Sequence, residues 1–510
     1  MRPSAPPIHP LLFAAYFVLF LYAQNLGEVQ LAEVLPVLLL ALGGATLAMA
    51  LTWLVLRDWR RAAIVASALV ICFFAYGHLA NALVAWRIPG WVQQLGWIAA
   101  IVGAALVAWR IRDRLQALTR GLDLIAGILV VLSLVSIVPH ELDRATNAGN
   151  DPSPLPLVAG APEGPKRDVW YLIFDRYSSD EQLKAAFGID GTLDSWLTDK
   201  GFYVAPDSQA NYVKTSLSMA SSLNLDYLDD IVARMGPDSD DHGPVFAALQ
   251  DHVLGRFLQS QGYRFIQVGS PYGPTNVNPY ADENPRLGST SDFAAAVYET
   301  SVVPAIGRRI GLVRSTPLRE RSYETARFQW ETLQGLVDDP GPKLVISHFL
   351  LPHPPYVFDR DGSFVSEEDD DGDVAAGYAR QLAYTDAKIK ELVERLQALP
   401  EDRRPIVVLQ ADEGPYPERY NDDTVNFDWA SATEAELRMK YGILNAYFLP
   451  GQDPKATGLH PGITPVNSFR LILGRYFGTD TPLLPDREFT SKGKFRPYDL
   501  TEVTDRLARP

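Results

Sequence analysis

The stretch "PIVVLQADEGPY", Pro405 to Tyr416, has the features of a buried strand that ends in acidic residues. Its apolar part, "IVVL", is short, continuous and rich in β-branched residues, which is typical of a strand covered on both faces. Two carboxylates, Asp412 and Glu413, come shortly after this apolar run and directly before a glycine. Because neighbouring like charges repel each other, this strand end needs a physical explanation.

Four further runs of this kind occur after residue 166, with helical patterns between them. They are "VWYLIFD" (169–175), "RFIQVGS" (264–270), "LVISHFL" (344–350) and "ILNAYFLP" (443–450). Such alternation predicts an α/β domain with a mostly parallel sheet and helices on both faces. Ligands of these sheets bind at the carboxyl ends of the strands.

The N-terminal part of the chain is much more apolar than the rest. Five apolar runs stand out: Leu11 to Ala23, Leu31 to Leu56, Ala62 to Trp86, Trp91 to Trp109, and Gly121 to Val138. The middle three approach or exceed the roughly 20 residues that span a bilayer. A cleaved signal peptide could explain the first run, but not the four that follow. We therefore expect a bundle of five transmembrane helices.

The arginines predict how this bundle is oriented. Basic residues cluster in the turns after the second and fourth runs: Arg57, Arg60, Arg61, Arg110, Arg112, Arg114 and Arg120. Short basic loops stay in the cytoplasm. The expectation is a multi-pass protein of the inner or plasma membrane with a cytoplasmic N-terminus. Everything after Val138 would then be periplasmic or extracellular.

Three parts follow from this division: a five-helix transmembrane domain (1–138), a linker rich in Pro, Gly and Asn (139–167), and an exported domain (168–510). Residues 1–138 hold nine arginines and five acidic residues, which leaves 37 basic and 56 acidic residues in the rest of the chain. So acidic a domain is a poor candidate for binding nucleic acid, but it could hold divalent cations. The one cysteine, Cys72, lies in the third apolar run, so the exported domain has no disulfide.

Polar residues gather where the predicted strands end. Asp175 closes the first strand, His348 and His353 lie at and just past the end of the third, and Asp412 and Glu413 close the fourth. Carboxylates that share one edge raise each other's pKa unless a cation neutralises them. Oxygen ligands suit Mg²⁺, Mn²⁺ or Ca²⁺, whereas zinc prefers more imidazole. We therefore expect one divalent cation at this edge.

A candidate nucleophile lies in "NYVKTSLSMASSLNLDYL" (211–228), where Thr215 precedes a helical pattern. One interpretation is an ordinary N-terminal cap. The other is a catalytic hydroxyl, because free N–H groups and the helix dipole favour an alkoxide and a bound phosphate at that position. The residues alone leave both interpretations open.

The order of these motifs resembles the sulfatase and alkaline phosphatase superfamily. The matching features are the strand-end Asp175, Thr215 some forty residues later, His353 in "PHPPY", and Asp412 at the end of a late strand. With apolar helices ahead of it, the layout is similar to lipoteichoic acid synthases and to the phosphoethanolamine transferases of lipid A. The resemblance implies an alkaline phosphatase/sulfatase-like fold for residues 168–510.

The resemblance also implies roles for single residues. The cation would be held by Asp175, Thr215, Asp412 and Glu413, and Thr215 would attack a phosphodiester to form a phosphothreonine intermediate. His353 would contact the phosphoryl oxygens or protonate the leaving group.

Four further residues are candidates for binding the substrate. His348 is a second candidate for the work of His353, and Lys214 would steady the phosphate. Thr275 and Asn278, in the loop "GSPYGPTNVNPYADENP" (269–285), could line the pocket or serve only the structure of the loop.

Two departures from the superfamily pattern affect the expected chemistry. Around Thr215, "KTSLSMASS" has no Cys, Pro or Arg of the kind that sulfatases use to make formylglycine, which favours phosphoryl over sulfate chemistry. Glu413 stands where the superfamily has a histidine, and a further carboxylate strengthens binding of Mg²⁺ or Ca²⁺ while favouring zinc less.

Three functions are consistent with the sequence. The first is a membrane-anchored, metal-dependent phosphotransferase that moves a phospho-alcohol group to an exported glycan or lipid. The second is a phosphodiesterase or phosphatase that uses water as the acceptor, and the third is a binding module that has lost catalysis. The expected partners are the lipid bilayer and a lipid or glycan substrate.

Overall fold

The computed structural model describes residues 7–85, 90–111, 114–147, 157–160, 164–288, 291–310, 317–424, 427–453, 457–493 and 496–508. The chain forms two compact units. The first contains Met1–Asn150 and Thr290–Pro317, and the second contains Asp151–Ser289 and Leu318–Pro510. Residues 290–317, which the sequence analysis placed in the exported domain, thus group with the apolar helices.

The first unit consists of helices. They are α1 (His9–Ala23), α2 (Leu31–Leu56), α3 (Trp59–Ala85), α4 (Gly90–Arg110) and α5 (Leu115–Asn147), together with α13 (Asp292–Thr300) and α14 (Val303–Arg309) from the later segment.

Four of the described helices are long and apolar enough to cross a membrane: Leu31–Leu56, Trp59–Ala80, Trp91–Arg110 and Leu115–Thr146. Helix α1 is apolar too, but it has only 15 residues. Leu40 and Val55 expose 78% and 80% of their surface, as side chains that face lipid do. The predicted membrane region is therefore confirmed with four candidate spans, and the fifth span stays a prediction.

Arg144 holds the loop between α1 and α2 at the end of the bundle where α5 finishes. Its guanidinium donates to the carbonyl of Leu26 at 2.6 Å and to that of Val29 at 2.8 Å. Glu141 accepts from Arg144 at 3.2 Å and from the hydroxyl of Tyr22 at 2.5 Å. These bonds satisfy loop carbonyls that would otherwise lack partners.

The second unit is built on a six-stranded sheet. The strands are β1 (Val169–Phe174), β2 (Tyr203–Val204), β3 (Arg264–Val268), β4 (Lys343–Phe349), β5 (Ile406–Ala411) and β6 (Asn445–Phe448), in the order β2-β6-β5-β1-β4-β3. Strands β3, β4, β1 and β5 are parallel to one another, whereas β6 runs antiparallel to β5 and β2 antiparallel to β6. The predicted mostly parallel sheet is confirmed.

A two-stranded antiparallel sheet and further helices complete this unit. The small sheet pairs β7 (Phe489–Ser491) with β8 (Leu500–Glu502). The helices are α6 (Asp180–Phe187), α7 (Leu193–Asp199), α8 (Thr215–Asn224), α9 (Asp229–Met235), α10 (Gly243–Gln250), α11 (Val253–Ser260), α12 (Gly273–Asn276), α15 (Pro317–Leu336), α16 (Val374–Gln397), α17 (Glu418–Asp422), α18 (Glu434–Tyr441), α19 (Pro465–Phe477) and α20 (Thr504–Leu507). Two short 3₁₀ helices lie at Glu401–Arg403 and Trp429–Ser431.

Two apolar cores cover the two faces of the large sheet. Along β1, Leu172 points into one core with α15 and α16, and Ile173 points into the other with α8 and α19. Successive side chains of a strand face opposite sides, so a strand buried on both faces must be apolar throughout. That requirement explains the continuous runs seen in the sequence.

The strand register brings the carboxyl ends of β1, β4 and β5 together. Phe174 pairs with Phe349 on one side and with Ala411 on the other. The residues that follow, Asp175 and Asp412, therefore leave the sheet side by side. The amide of Asp175 donates to the carbonyl of Phe349 at 2.8 Å, which continues the ladder by one bond.

Candidate active site

Three side chains at this edge of the sheet form a candidate cation site. Asp175, His348 and Asp412 are buried, and one ligand atom of each lies within 4.8 Å of the others. Asp175 and Asp412 follow β1 and β5, while His348 is the sixth residue of β4. A donor set of two carboxylates and one imidazole accepts Mn²⁺ or Zn²⁺ as readily as the oxygen-only set expected from the sequence would accept Mg²⁺.

The candidate cation site contains buried polar atoms that have no hydrogen-bond partner among the described residues, as expected of atoms that would bind a cation. Asp175 Oδ1, His348 Nε2 and Asp412 Oδ2 are buried and have no hydrogen-bond partner among the described residues. Leaving buried polar atoms unpaired costs free energy, so native proteins rarely do it without a ligand or water. The three atoms are acceptors or ligands that a divalent ion would satisfy together.

Thr215 begins α8 beside this cluster. Its side chain interacts with the Asp412 carboxylate, and Lys214 occupies the N-cap position before it. On the next turn of the helix, the Ser218 hydroxyl donates to the carbonyl of Asp412 at 2.6 Å. The N-terminus of a ten-residue helix, with its free N–H groups, is thereby attached to the end of β5.

The second acidic residue of the opening stretch has a different partner. Glu413 Oε1 lies 2.6 Å from Nζ of Lys440 on α18, and both side chains are buried. The same ammonium donates to the carbonyl of Gly414 at 3.0 Å and lies 3.3 Å from the centre of the Tyr416 ring. The sequence analysis expected Glu413 to bind the cation, but in the structure Glu413 forms a buried ion pair with Lys440.

Gly414 permits this arrangement because the backbone of α18 approaches it closely. Its amide donates to the carbonyl of Lys440 at 2.7 Å. A Cβ at this position would lie 2.2 Å from the carbonyl oxygen of Met439. The glycine after the two carboxylates is required by packing.

A second cation, Arg176, follows Asp175 directly. It has a φ of 64°, a left-handed conformation that is costly for a residue with a side chain and is typical of functional sites. Its guanidinium lies 4.4 Å from the Tyr416 ring, and its Nε is 4.0 Å from Asp175 Oδ1. His353 Nε2 lies 3.9 Å from the other oxygen of Asp175.

A model of the sulfatase family matches residues 196–453, which is half of the chain. The chain belongs to the sulfatase family. It is therefore an enzyme of the superfamily that acts on phosphate or sulfate esters, and enzymes of this family use a metal ion. No curated protein matches the chain by sequence.

Solved structures similar to this chain include an integral membrane transferase. The C-terminal periplasmic domain of EcEptC from Escherichia coli is 12% identical over 69% of this chain and 97% of that domain, with a TM-score of 0.43. The integral membrane lipooligosaccharide phosphoethanolamine transferase A of Neisseria meningitidis is 12% identical over 94% of this chain and 96% of its own, with a TM-score of 0.41. A Vibrio parahaemolyticus protein of the alkaline phosphatase superfamily is 14% identical over 69% and 80% of the two chains, with a TM-score of 0.40.

Burial dominates the electrostatics of this sulfatase-family site. It raises the pKa of Asp175, against the opposing effect of Arg176, and it raises the pKa of Asp412, to which repulsion by Asp175 adds. Burial also raises the pKa of Glu413, and Lys440 opposes that rise. The carboxylates thus need positive charge in order to stay ionised.

The histidines of the sulfatase-family site respond to burial in the opposite direction. Burial lowers the pKa of His348 to about 3. Burial, followed by the charge of Arg176, lowers the pKa of His353 as well. Neutral imidazoles are the form that binds metals and accepts protons.

The residues predicted to contact substrate are placed differently from one another. Thr275 is buried, and its hydroxyl lies 3.1 Å from Nδ1 of His348, so it positions that ring. Asn278 is buried in the loop, where its side chain donates to the carbonyl of Gln250 and accepts from the amide of Tyr280. Thr275 therefore lies next to the candidate cation site, whereas the hydrogen bonds of Asn278 stabilise the conformation of the loop.

Three residues of the site were missed by the sequence analysis: Arg176, Lys440 and Tyr416. The signal for Arg176 was its position next to a strand-end aspartate, and Tyr416 was part of the opening stretch. Lys440 lies in an ordinary charged helix, "EAELRMKY", and only folding brings it to Glu413.

We predict that Lys440→Met lowers the free energy of unfolding of the second unit by about 3–5 kcal/mol, because it leaves Glu413 charged and buried without its cation. The double variant Lys440→Met/Glu413→Gln should recover most of the loss. Urea unfolding in detergent, followed by near-UV circular dichroism, measures both. Lys388→Met is the matched control: its exposed pair with Glu391 should cost less than about 1 kcal/mol. Equal losses in the two lysine variants would contradict the assignment.

We also predict that Mn²⁺, Mg²⁺ or Zn²⁺ stabilises the protein through Asp175, His348 and Asp412. An ion at 100 times its dissociation constant adds about 2.7 kcal/mol to the free energy of unfolding. Asp412→Asn should remove this stabilisation in thermal unfolding with and without each ion. Asp386→Asn, at a half-buried carboxyl that accepts from the Tyr177 hydroxyl, should retain it.

The variant Glu413→Gln then separates two roles of Glu413. A ligand of the ion would lose the metal-dependent stabilisation on this change, whereas a partner of Lys440 would keep it. We expect it to be kept.

Proposed function

We propose that this protein is a membrane-anchored, metal-dependent phosphotransferase that moves a phospho-alcohol group from a lipid donor to an exported glycan or lipid. One observation carries the proposal: Thr215, at the N-terminus of α8, faces Asp412 within the cluster that Asp175 and His348 complete. Membership of the sulfatase family supports it.

Thr215 is the proposed nucleophile. Its Oγ1 forms a bond to phosphorus while the bond from phosphorus to the donor alcohol breaks, and the proton of Thr215 leaves with the departing alcohol or to solvent. The acceptor hydroxyl then attacks phosphorus, the bond from phosphorus to Thr215 Oγ1 breaks, and the proton of the acceptor returns to Thr215 Oγ1 directly or through solvent. The N–H groups at the start of α8 stabilise the charge on the phosphoryl oxygens.

Asp175, Asp412, His348 and Thr215 are the residues proposed to hold the cation. The ion, when bound, lowers the pKa of a hydroxyl and neutralises charge on the phosphoryl group. Glu413, placed by the sequence among the ligands, contributes through its pair with Lys440 in this proposal. Because that pair is internally neutral, it adds little net charge to the site.

Arg176, His353 and Lys214 are the proposed contacts of the phosphoryl group. The left-handed backbone of Arg176 and its contact with the Tyr416 ring keep its guanidinium next to Asp175. His353 flanks the other oxygen of Asp175 and would contact the phosphoryl oxygens. Its lowered pKa does not favour the role of an acid that protonates the leaving group. Lys214, at the N-cap of α8, is adjacent to the nucleophile.

The membrane organisation belongs to the same proposal. We propose five spans with a cytoplasmic N-terminus (1–138), a linker (139–167) whose first residues continue α5 to Asn147, and a catalytic domain (168–510) in the periplasm or outside the cell, from which residues 290–317 return to the apolar helices. Donors that diffuse in the bilayer would reach the site by a two-dimensional search. The chain's one cysteine is Cys72, so no cysteine of the catalytic part could form formylglycine. This favours phosphate over sulfate esters.

We predict that Thr215→Ala lowers kcat on a phospholipid donor on the order of 10³-fold or more, because the covalent route is removed. Mass spectrometry of the wild-type protein quenched during turnover should detect phosphorylated Thr215. The control is Thr192→Ala, which changes an exposed threonine at the N-cap of α7 that makes no side-chain capping bond. Full activity in Thr215→Ala would refute the mechanism.

We further predict that the acceptor is an alcohol. A phospholipid donor with a labelled headgroup should transfer its phospho-alcohol group to an added glycan or lipid acceptor, as seen by mass spectrometry of the products. If the products are the same with and without acceptors, and consist of free phospho-alcohol or phosphate, the protein is a hydrolase.

A further inference from the structure

A segment of the later chain returns to the unit of apolar helices. Residues 290–317 lie between two stretches of the second unit in sequence, yet they belong to the first unit. The described part of this segment forms α13 and α14. The chain therefore passes between the two units again, long after α5.

Helix α13 is packed into the end of the bundle where α5 finishes. Phe293 is buried in a cluster with Tyr22, Val34 and Ile137, which lie near the end of α1, the start of α2 and the later part of α5. The rings of Phe293 and Tyr22 meet edge to face at 6.4 Å. This is the end of the bundle opposite to the arginine-rich turn after α2.

The junction between α13 and α14 is fitted against α3. The amide of Val302 donates to the carbonyl of Phe73 at 2.9 Å. A Cβ at Gly77 would come within 2.8 Å of the backbone of Thr300, so the two backbones touch there. Such a close approach anchors the segment to a candidate membrane span.

Helix α14 has one buried side and one apolar exposed stripe. Pro304 and Gly307 are buried. Val303, Ile306 and Ile310 are 37%, 52% and 62% exposed, and their spacing of three and four residues places them on one face.

The stripe continues onto the exposed apolar surface of α4. The guanidinium of Arg309, next to Ile310, donates to the side-chain carbonyl of Gln94 at 3.0 Å. Gln94 lies between Trp91 and Leu95 on α4, which are 61% and 57% exposed on a candidate span. Apolar side chains on the outside of a membrane span face lipid.

We propose that α14 is an interfacial helix whose stripe of Val303, Ile306 and Ile310 inserts into the boundary between lipid headgroups and acyl chains. Because the stripe is continuous with the lipid-facing side of α4, we infer that it contacts the bilayer. The exposed Arg309 is placed to meet anionic headgroups at the same level. This inference concerns the membrane attachment of the chain and does not depend on the proposed reaction.

The attachment has a consequence for the catalytic chain. Both ends of residues 290–317 continue into the second unit, so that unit has covalent connections to the membrane beyond the one after α5.

The test uses the full chain in vesicles of phosphatidylethanolamine and phosphatidylglycerol. Cys72 is the chain's one cysteine, so Cys72→Ala gives a background for single cysteines at Ile306 or Ile310, each labelled with the fluorophore NBD. Leu95→Cys on α4 is the membrane control. Val374→Cys, at a 59% exposed position that begins α16, is the aqueous control. Lipids with a doxyl group on the acyl chain and aqueous iodide serve as quenchers.

The expected result is a loss of NBD emission with doxyl lipid and little loss with iodide at 306 and 310, as at 95. Position 374 should show the reverse. Quenching at 306 and 310 by iodide alone would overturn the proposal, and so would protection from both quenchers, which would indicate a protein partner or a second copy on the stripe. If Ile306→Cys fails to fold, Ile310→Cys, in the turn after α14, gives the same readout.

Discussion

Three carboxylates are buried at one edge of the parallel sheet, and their charge restricts which residues can surround them. Asp175, Asp412 and Glu413 are each at most 5% exposed. Ions removed from water lose several kcal/mol of solvation each, and like charges add repulsion. Positive charges must therefore lie beside these carboxylates. Arg176 lies beside Asp175, and Lys440 forms an ion pair with Glu413. A divalent cation, held by Asp175, His348 and Asp412, would supply the remainder.

This electrostatic requirement determines local backbone geometry. Lys440 reaches Glu413 only because α18 lies against the end of β5, and that contact leaves no room for a side chain at position 414. Arg176 adopts a left-handed conformation beside Asp175. The bond from Ser218 to the carbonyl of Asp412 then attaches α8, and with it Thr215, to the same strand end. The positions of Arg176, Lys440, Gly414 and Thr215 therefore depend on the same edge of the sheet.

The apolar helices impose a second constraint, because their exposed side chains are stable only in lipid. The segment 290–317 shows that this constraint extends into the later chain: α13 buries Phe293 among the bundle helices, and α14 leaves an apolar stripe exposed.

The sequence predicted five of the six strands of the large sheet, the edge at which the candidate site lies, the membrane region and the superfamily. These features depend on local patterns: continuous apolar runs make strands buried on both faces, and long apolar runs make candidate spans. Three contacts are visible only in the folded protein: Lys440 neutralises Glu413, His348 joins the two aspartates, and residues 290–317 pack with the apolar helices. Each of these is a contact between residues far apart in sequence. No local pattern encodes such contacts, because they arise only once the sheet and the bundle bring distant side chains together.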